Sequence, residues 1–123
     1  MNLVDSSGWL EYLSDGKNSK LFAPAIEKTN ELIVSIINIY EIYKKILLER
    51  DESTAIQVVG IMQQAKVIEV SSIISIQAAK LSYERKIPMA DSLIYTTAKL
   101  NHAMVWTQDI DFKELDNVKY FKK

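Results

Sequence analysis

Acidic side chains stand at four points in this sequence where an apolar run ends or a helical pattern begins: Asp5, Glu41, Asp91 and Asp109. Carboxylate oxygens are the ligands that hard divalent cations such as Mg²⁺ and Mn²⁺ prefer. The sequence has no cysteine and a single histidine, His102, which excludes thiolate nucleophiles, cysteine-based zinc sites and multi-histidine metal sites. Any metal site in this chain must therefore be built from carboxylates.

Each acid taken alone also has a purely structural interpretation. Asp5 could cap the helix that follows it, and Asp109 could cap a polar turn. Glu41 and Lys45 are spaced for an i,i+4 ion pair on a helix. Asp91 falls in the first turn of a predicted helix, where the macrodipole favours a negative charge. The case for a functional site depends on the four positions together.

The elements that must position these acids can be read from the hydrophobic pattern. Short apolar runs rich in β-branched residues predict strands at residues 2–5, 31–35, 66–70, 103–106 and 118–121. Apolar residues at helical spacing, preceded by capping residues, predict the helices between them. These helices cover residues 8–13, 19–28, 36–50, 52–65, 72–85 and 90–101, and a short helical turn covers 112–115.

The alternation of strands and helices predicts an α/β fold, a parallel sheet with helices on both faces. In such a sheet, ligands bind beyond the carboxyl ends of the strands. Asp5, Asp91 and Asp109 stand at a strand end or a helix start, and Glu41 lies about one turn into the helix after the second strand. Four carboxylates that converge at one sheet edge repel each other, and a bound cation relieves that repulsion.

The segments around these acids resemble the motifs of a known family. Residues 3–7 (LVDSS), the isolated Glu41 in an apolar helix, residues 90–94 (ADSLI) and residues 107–112 (TQDIDF) are similar to the motifs of PIN-domain ribonucleases. Their order and the small size of the chain look most like the VapC toxins of VapBC toxin–antitoxin pairs. The resemblance covers essentially the whole chain.

The resemblance implies a single PIN domain over residues 1–123, with a three-layer α/β/α fold around a central parallel sheet of four or five strands. It implies a Mg²⁺ or Mn²⁺ site built from the four acids named above, with Asp111 as an alternative to Asp109, and endonucleolytic cleavage of RNA. Thr107 matches the family's hydroxyl residue before the fourth acid, and Ser6 is a candidate supporting group beside Asp5. The chain departs from the family in one respect: an Asn often follows the first Asp, and two serines stand there instead.

Length and charge limit the function further. The chain has 123 residues, enough for one core, and 15 basic residues nearly balance 16 acidic ones. No strong net field therefore attracts a polyanion, and RNA binding requires a local basic patch whose residues the sequence does not identify. The N-terminus lacks a signal-peptide pattern, and the apolar stretch 32–40 is too short to span a bilayer, so we expect a cytoplasmic protein that does not bind membranes.

Two protein partners are expected. Residues 36–48 are apolar around much of the helix circumference, which favours a second subunit or an antitoxin helix packed against it. A homodimer and a cognate antitoxin are therefore predicted in addition to the RNA substrate. If an antitoxin binds, we expect one of its basic side chains to enter the acidic pocket.

Three alternative functions remain open at this point. A phosphoacceptor signalling domain would have a similar length and layer structure, but it needs an acceptor Asp after the third strand, where Val70 and Ser71 stand. A PIN-like interaction module without catalysis is disfavoured because all four acids are present. A nuclease acting on DNA is not distinguished from one acting on RNA, because contacts to the 2′-hydroxyl depend on geometry.

Overall fold

The central sheet of the computed structural model, which describes residues 1–123, has five strands. Every neighbouring pair runs parallel, as expected for strands that are separated by helices. The strands are β1 (Asn2–Val4), β2 (Leu32–Ser35), β3 (Lys66–Ile68), β4 (Met104–Thr107) and β5 (Val118–Tyr120).

Six α-helices and two 3₁₀ turns connect the strands. The 3₁₀ turns are Thr29–Glu31 and Ile110–Phe112. None of the helices is both long and apolar enough to cross a lipid bilayer. The helices are α1 (Ser6–Leu13), α2 (Ser19–Ile26), α3 (Ile36–Glu49), α4 (Glu52–Met62), α5 (Ser72–Arg85) and α6 (Met89–Leu100).

The strand order is β3-β2-β1-β4-β5, so β1 lies at the centre of the sheet, with β2 and β3 on one side and β4 and β5 on the other. The order reverses between β1 and β4, and such a switch point is where α/β folds form a binding crevice. Signalling domains of the flavodoxin-like type have the order 2-1-3-4-5, which this chain does not share. The predicted three-layer fold with a parallel sheet is confirmed, with five strands.

Successive strand side chains point to opposite faces of the sheet and build two cores. Val4 and Val34 belong to the core under α1 to α4, which also contains the fully buried Trp9. Leu3 and Ile33, one residue earlier on the same strands, belong to the core under α6. Both faces of the sheet are therefore covered, and apart from Asn2 at the start of β1 its central strands are apolar up to their carboxyl ends.

Some predicted boundaries shift by a few residues. The first helix begins at Ser6 rather than at residue 8, because Asp5 is extended (φ −71°, ψ 173°) and acts as its N-cap. The second helix ends at Ile26, since residues 29–31 form a 3₁₀ turn that the sequence pattern did not predict. The predicted turn at 112–115 is a 3₁₀ turn that begins earlier, at Ile110.

Two further elements end two or three residues earlier than predicted, and the sixth helix has the predicted length but is displaced by one residue. The helix predicted for 52–65 ends at Met62, and the strand predicted for 66–70 ends at Ile68. The sixth helix starts at Met89, directly after Pro88, whose fixed φ suits a position at a helix start. Ser71 caps α5 by accepting a hydrogen bond from the backbone N–H of Ile74 at 3.2 Å.

Candidate active site

Asp5 lies at the carboxyl end of β1 and is only 2% exposed. Its Oδ1 accepts hydrogen bonds from the Gly8 backbone N–H (3.0 Å) and the Ser7 hydroxyl (2.8 Å). Its Oδ2 lies 2.7 Å from the Thr107 hydroxyl and 3.0 Å from that of Ser7. Asp5 therefore caps α1 and at the same time connects β1 to the end of β4.

Thr107 fixes the chain where β4 leaves the sheet. Its hydroxyl donates to Asp5 and accepts a hydrogen bond from the Asp109 backbone N–H at 2.9 Å. The Asp111 backbone N–H donates in turn to Asp109 Oδ1 at 2.9 Å. Because Thr107 is fully buried, these bonds set the path of the loop that carries both acids.

Glu41 is held by a serine and not by the lysine that its spacing suggested. The Ser6 hydroxyl donates to Glu41 Oε1 at 2.6 Å. Lys45 Nζ lies 3.0 Å from Glu49 Oε1, one turn further along α3, so the alternative pairing of Lys45 with Glu41 does not form. Through this contact with Ser6, the side of α3 that carries Glu41 faces α1.

Asp91, Asp109 and Asp111 form an acidic cluster. Each offers one carboxylate oxygen, and these oxygens lie within 4.8 Å of one another. Asp91 comes from the first turn of α6, and the other two come from the loop after β4. Asp109 and Asp111, which were alternatives for one position, are thus both close to Asp91. Asp5 and Glu41 lie near enough for their charges to raise the pKa of Asp91, but they are not part of the group whose oxygens lie within 4.8 Å of one another.

The electrostatics of the site shift the pKa of two acids upward. Burial, followed by the charges of Asp109, Glu41, Asp111 and Asp5, raises the pKa of Asp91 to about 7. Burial likewise raises the pKa of Asp5 to about 6, although its hydrogen bonds from threonine, glycine and serine oppose that rise. The five acids are therefore close enough for their charges to interact, and a bound cation would favour ionised carboxylates.

Ser7 and Asn38 support the site, although the sequence analysis did not assign them this role. Ser6 was expected beside Asp5, but its hydroxyl donates to Glu41, and Ser7 takes the position on Asp5. Asn38, fully buried in the first turn of α3, donates to Ser6 Oγ at 3.1 Å. The sequence signal for it was a polar residue at the third helical position after Ser35, where a capping box is common.

A cleft of about 460 Å³ lies beside the site, and none of the five acids lines it. Ser7, which is bonded to Asp5, and Gln108, which precedes Asp109, line the cleft on the side of the site. Its apolar lining comes from α1, α3 and α4, and its charged lining mixes both signs. The apolar lining residues are Leu10, Leu13, Ile46 and Val58, and the charged ones are Glu11, Lys45, Glu49, Arg50 and Lys123.

The family model described as PIN domain matches residues 3–118. The chain belongs to the PIN domain family. The family expected from the sequence motifs is thereby confirmed, and the signalling-domain alternative is excluded. Comparison with curated proteins gives no significant match.

Solved structures share the fold of this PIN domain over nearly its whole length. A toxin–antitoxin complex from Klebsiella pneumoniae matches with a TM-score of 0.83 and 18% identity, covering 100% of both chains. VapC20 from Mycobacterium tuberculosis, described as a toxin that cleaves the sarcin–ricin loop, matches with a TM-score of 0.79 and 14% identity, covering 97% of this chain and 98% of its own. VapBC2 from Rickettsia felis, bound to a promoter DNA fragment, matches with a TM-score of 0.75 and 16% identity, covering 98% and 97%.

Proposed function

We propose that this PIN domain is a Mg²⁺- or Mn²⁺-dependent endoribonuclease and the toxin of a toxin–antitoxin pair. The observation that supports it is the cluster of Asp91, Asp109 and Asp111 oxygens within 4.8 Å of one another, flanked by Asp5 and Glu41 at the switch point of the sheet. An acid such as Asp91, whose pKa is raised by burial and by neighbouring carboxylates, is typical of a functional site rather than of a solvated surface.

The donor set fits a hard divalent cation. All of its ligand atoms are carboxylate oxygens, which suit Mg²⁺ or Mn²⁺, and no sulfur or imidazole that would favour zinc lies among them. Burial and then the charges of the neighbouring acids raise the pKa of Asp91 to about 7, and a bound cation would favour its ionised form. Asp91, Asp109 and Asp111 would hold the cation directly, and Asp5 and Glu41 would hold it directly or through water.

The chain's own residues then position the reactants of phosphodiester hydrolysis. A bound cation would lower the pKa of a water molecule and offset charge on the phosphate. Glu41, fixed by Ser6 through Oε1, has Oε2 available to orient the attacking water. Thr107 and Ser7 keep the Asp5 carboxylate in one orientation within the pocket. RNA as the substrate follows from the family resemblance and agrees with the description of VapC20.

The test is cleavage by the purified, partner-free chain. A pool of structured RNAs is incubated with Mg²⁺, Mn²⁺ or EDTA, and Asp91→Asn is compared with wild type. We expect cation-dependent cleavage that falls by a factor of about 100 or more in Asp91→Asn, since a ligand is lost. The matched control is Asp15→Asn, an exposed acid with φ 55° that lies outside the cluster, at a backbone geometry that Asn tolerates.

Two results would contradict the proposal. Cleavage that persists in EDTA or in Asp91→Asn would remove the carboxylate site from the reaction. No cleavage under any condition, together with no change in the melting temperature on adding Mn²⁺, would instead favour a catalytically inactive interaction module. Parallel reactions with single-stranded and duplex DNA test whether the substrate is DNA.

An antitoxin partner is proposed on the same basis. Solved structures with a similar fold include toxin–antitoxin complexes. The cleft lined by Ser7 and Gln108 also has apolar residues and charged residues of both signs, a lining that suits an amphipathic peptide segment. We propose that a basic side chain of that segment enters the acidic cluster. A co-purified partner whose protection from hydrogen exchange lies far from Asp5 and Asp91 would contradict this proposal.

A further inference from the structure

Asn38 is a fully buried polar side chain whose two ends make different contacts. Its Oδ1 accepts a hydrogen bond from the Ser35 backbone N–H at 3.1 Å, which closes the capping box of α3. Its Nδ2 donates to the Ser6 hydroxyl of α1 at 3.1 Å. The first contact belongs to the helix start, but the second joins two separate elements and ends beside Glu41.

The contact with Asn38 fixes the direction of the Ser6 hydroxyl. A serine hydroxyl has one proton to donate, and an amide NH₂ can only donate. Because Asn38 donates to Ser6 Oγ, the single proton of Ser6 is directed to Glu41 Oε1, 2.6 Å away. Oε1 is thereby engaged, and Oε2 is the Glu41 oxygen that accepts no hydrogen bond from the chain.

A capping role alone does not require this arrangement. The capping box uses only Oδ1 of Asn38, and a glutamate at this third helical position would supply an equivalent acceptor. The amide NH₂ adds a donor that reaches α1. Without that donor, the Ser6 hydroxyl could rotate, and Glu41 would lose the bond that holds it against the repulsion of the neighbouring acids.

We propose that Asn38 is a positioning residue that acts through Ser6 to set the Glu41 carboxylate, so that Oε2 is presented to a divalent cation or its water. This inference rests on the proposed metal-dependent function. It assigns to Asn38 and Ser6 a role in cation binding that does not depend on the RNA substrate. Hydrogen-bond partners of metal ligands typically change metal affinity or activity by about 10- to 100-fold when they are removed.

The experiment is calorimetric titration of the full, partner-free chain with Mn²⁺. The variants are Ser6→Ala, Asn38→Ala, their combination, and Ser6→Thr, which keeps a hydroxyl. We expect the Mn²⁺ dissociation constant to rise about 10-fold in each single alanine variant. Asn38→Ala should add nothing in the Ser6→Ala background, because its contact with Glu41 passes through Ser6. Ser6→Thr should bind Mn²⁺ nearly as wild type does.

The control for general destabilisation is Ser71→Ala, which removes the cap of α5 outside the site. We expect it to lower the melting temperature while Mn²⁺ affinity stays unchanged. If Asn38→Ala lowers the melting temperature in the same way and leaves Mn²⁺ affinity within about twofold of wild type, Asn38 is only a cap and the inference is wrong.

Two further outcomes are decisive. If Asn38→Ala does not fold, Ser6→Ala alone decides, and unchanged Mn²⁺ affinity in that variant overturns the inference. If wild type itself binds no Mn²⁺, the metal-dependent function fails and the inference fails with it. The wild-type titration therefore separates failure of the proposed function from failure of the role of Asn38.

Discussion

At the scale of single residues, Asp5 combines two tasks. Its Oδ1 caps α1 through the Gly8 N–H, and its Oδ2 is bonded to Thr107, yet its charge still contributes to the raised pKa of Asp91. A carboxylate has two oxygens and about four acceptor directions, so capping does not prevent a role in the pocket. The structural and functional interpretations of such an acid are therefore compatible.

The raised pKa values predict how stability depends on pH. The folded pKa of Asp91 (about 7) and that of Asp5 (about 6) lie above the ordinary value of 3.8. The folded chain in EDTA then binds more protons than the unfolded chain in this interval, so its free energy of unfolding falls as the pH rises from about 4 to about 7. Stabilisation by Mn²⁺ should increase over the same interval, because the ionised carboxylates bind the cation.

Urea unfolding in EDTA and in Mn²⁺, measured across that pH range, checks this prediction. Asp91→Asn removes one of the two titrating groups and should flatten the pH dependence in EDTA. The control variant Asp15→Asn should follow the wild-type curve. An unchanged slope in Asp91→Asn would show that the loss of stability arises elsewhere in the chain.

At the scale of elements, the site depends on how closely α1 approaches the sheet. A Cβ atom at Gly8 would lie 2.5 Å from Val4 Cγ1 and 2.7 Å from Phe22 Cε1. Glycine therefore lets the first turn of α1 pack on β1 and α2 while its N–H reaches Asp5. The loop after β4 is fixed in a similar way, since buried Asn18 donates to Gln108 Oε1 at 3.0 Å.

Substitution of two glycines tests this packing. Gly8→Ala should lower the free energy of unfolding by about 1–3 kcal/mol, since the added methyl overpacks a closed site. Gly60→Ala is the matched control, because nothing lies within 4 Å of its Cβ position in the exposed interior of α4. It should raise the free energy of unfolding by about 0.5–1 kcal/mol through helix propensity. Equal effects of the two changes in urea unfolding would contradict the close packing of α1.

At the scale of the whole molecule, α5 carries an exposed apolar stripe. Ile73, Ile76 and Tyr83 lie on one side of the helix and are 63%, 70% and 84% exposed. Met89, at the start of α6, is 75% exposed. Exposed apolar surface of this kind is typical of an interface. The sequence favoured residues 36–48 for a second subunit or an antitoxin helix, whereas we propose that a second copy of the chain binds at α5.

Sedimentation equilibrium of the partner-free chain checks the dimer. We expect wild type to sediment as a dimer and Ile76→Lys to sediment as a monomer, because a buried lysine without a partner disrupts an apolar interface. Ile56→Lys, at a 57% exposed position on α4, is the control and should remain dimeric. A monomeric wild-type chain at micromolar concentration would contradict the predicted homodimer.

The fold was largely predictable from the sequence because its signals are local. Short apolar runs and a period of about 3.6 residues identified every strand and α-helix, and the alternation of the two indicated a parallel sheet. The ends of elements were less predictable. The strand 66–70 stopped early at Ile68, and the 3₁₀ turn Thr29–Glu31 was not foreseen, since such ends depend on contacts with the rest of the chain.

The features of the site also fall into those that the sequence shows and those that only the tertiary structure shows. The sequence alone singled out the candidate acids, because carboxylates at strand ends and helix starts are visible in the residue pattern. Only the tertiary structure decided their contacts: Ser6 turned to Glu41, Ser7 to Asp5, and Asn38 to Ser6 across 32 positions of the chain. Side-chain partners that are distant in sequence depend on how the sheet order brings elements together, and residue periodicity does not contain that information.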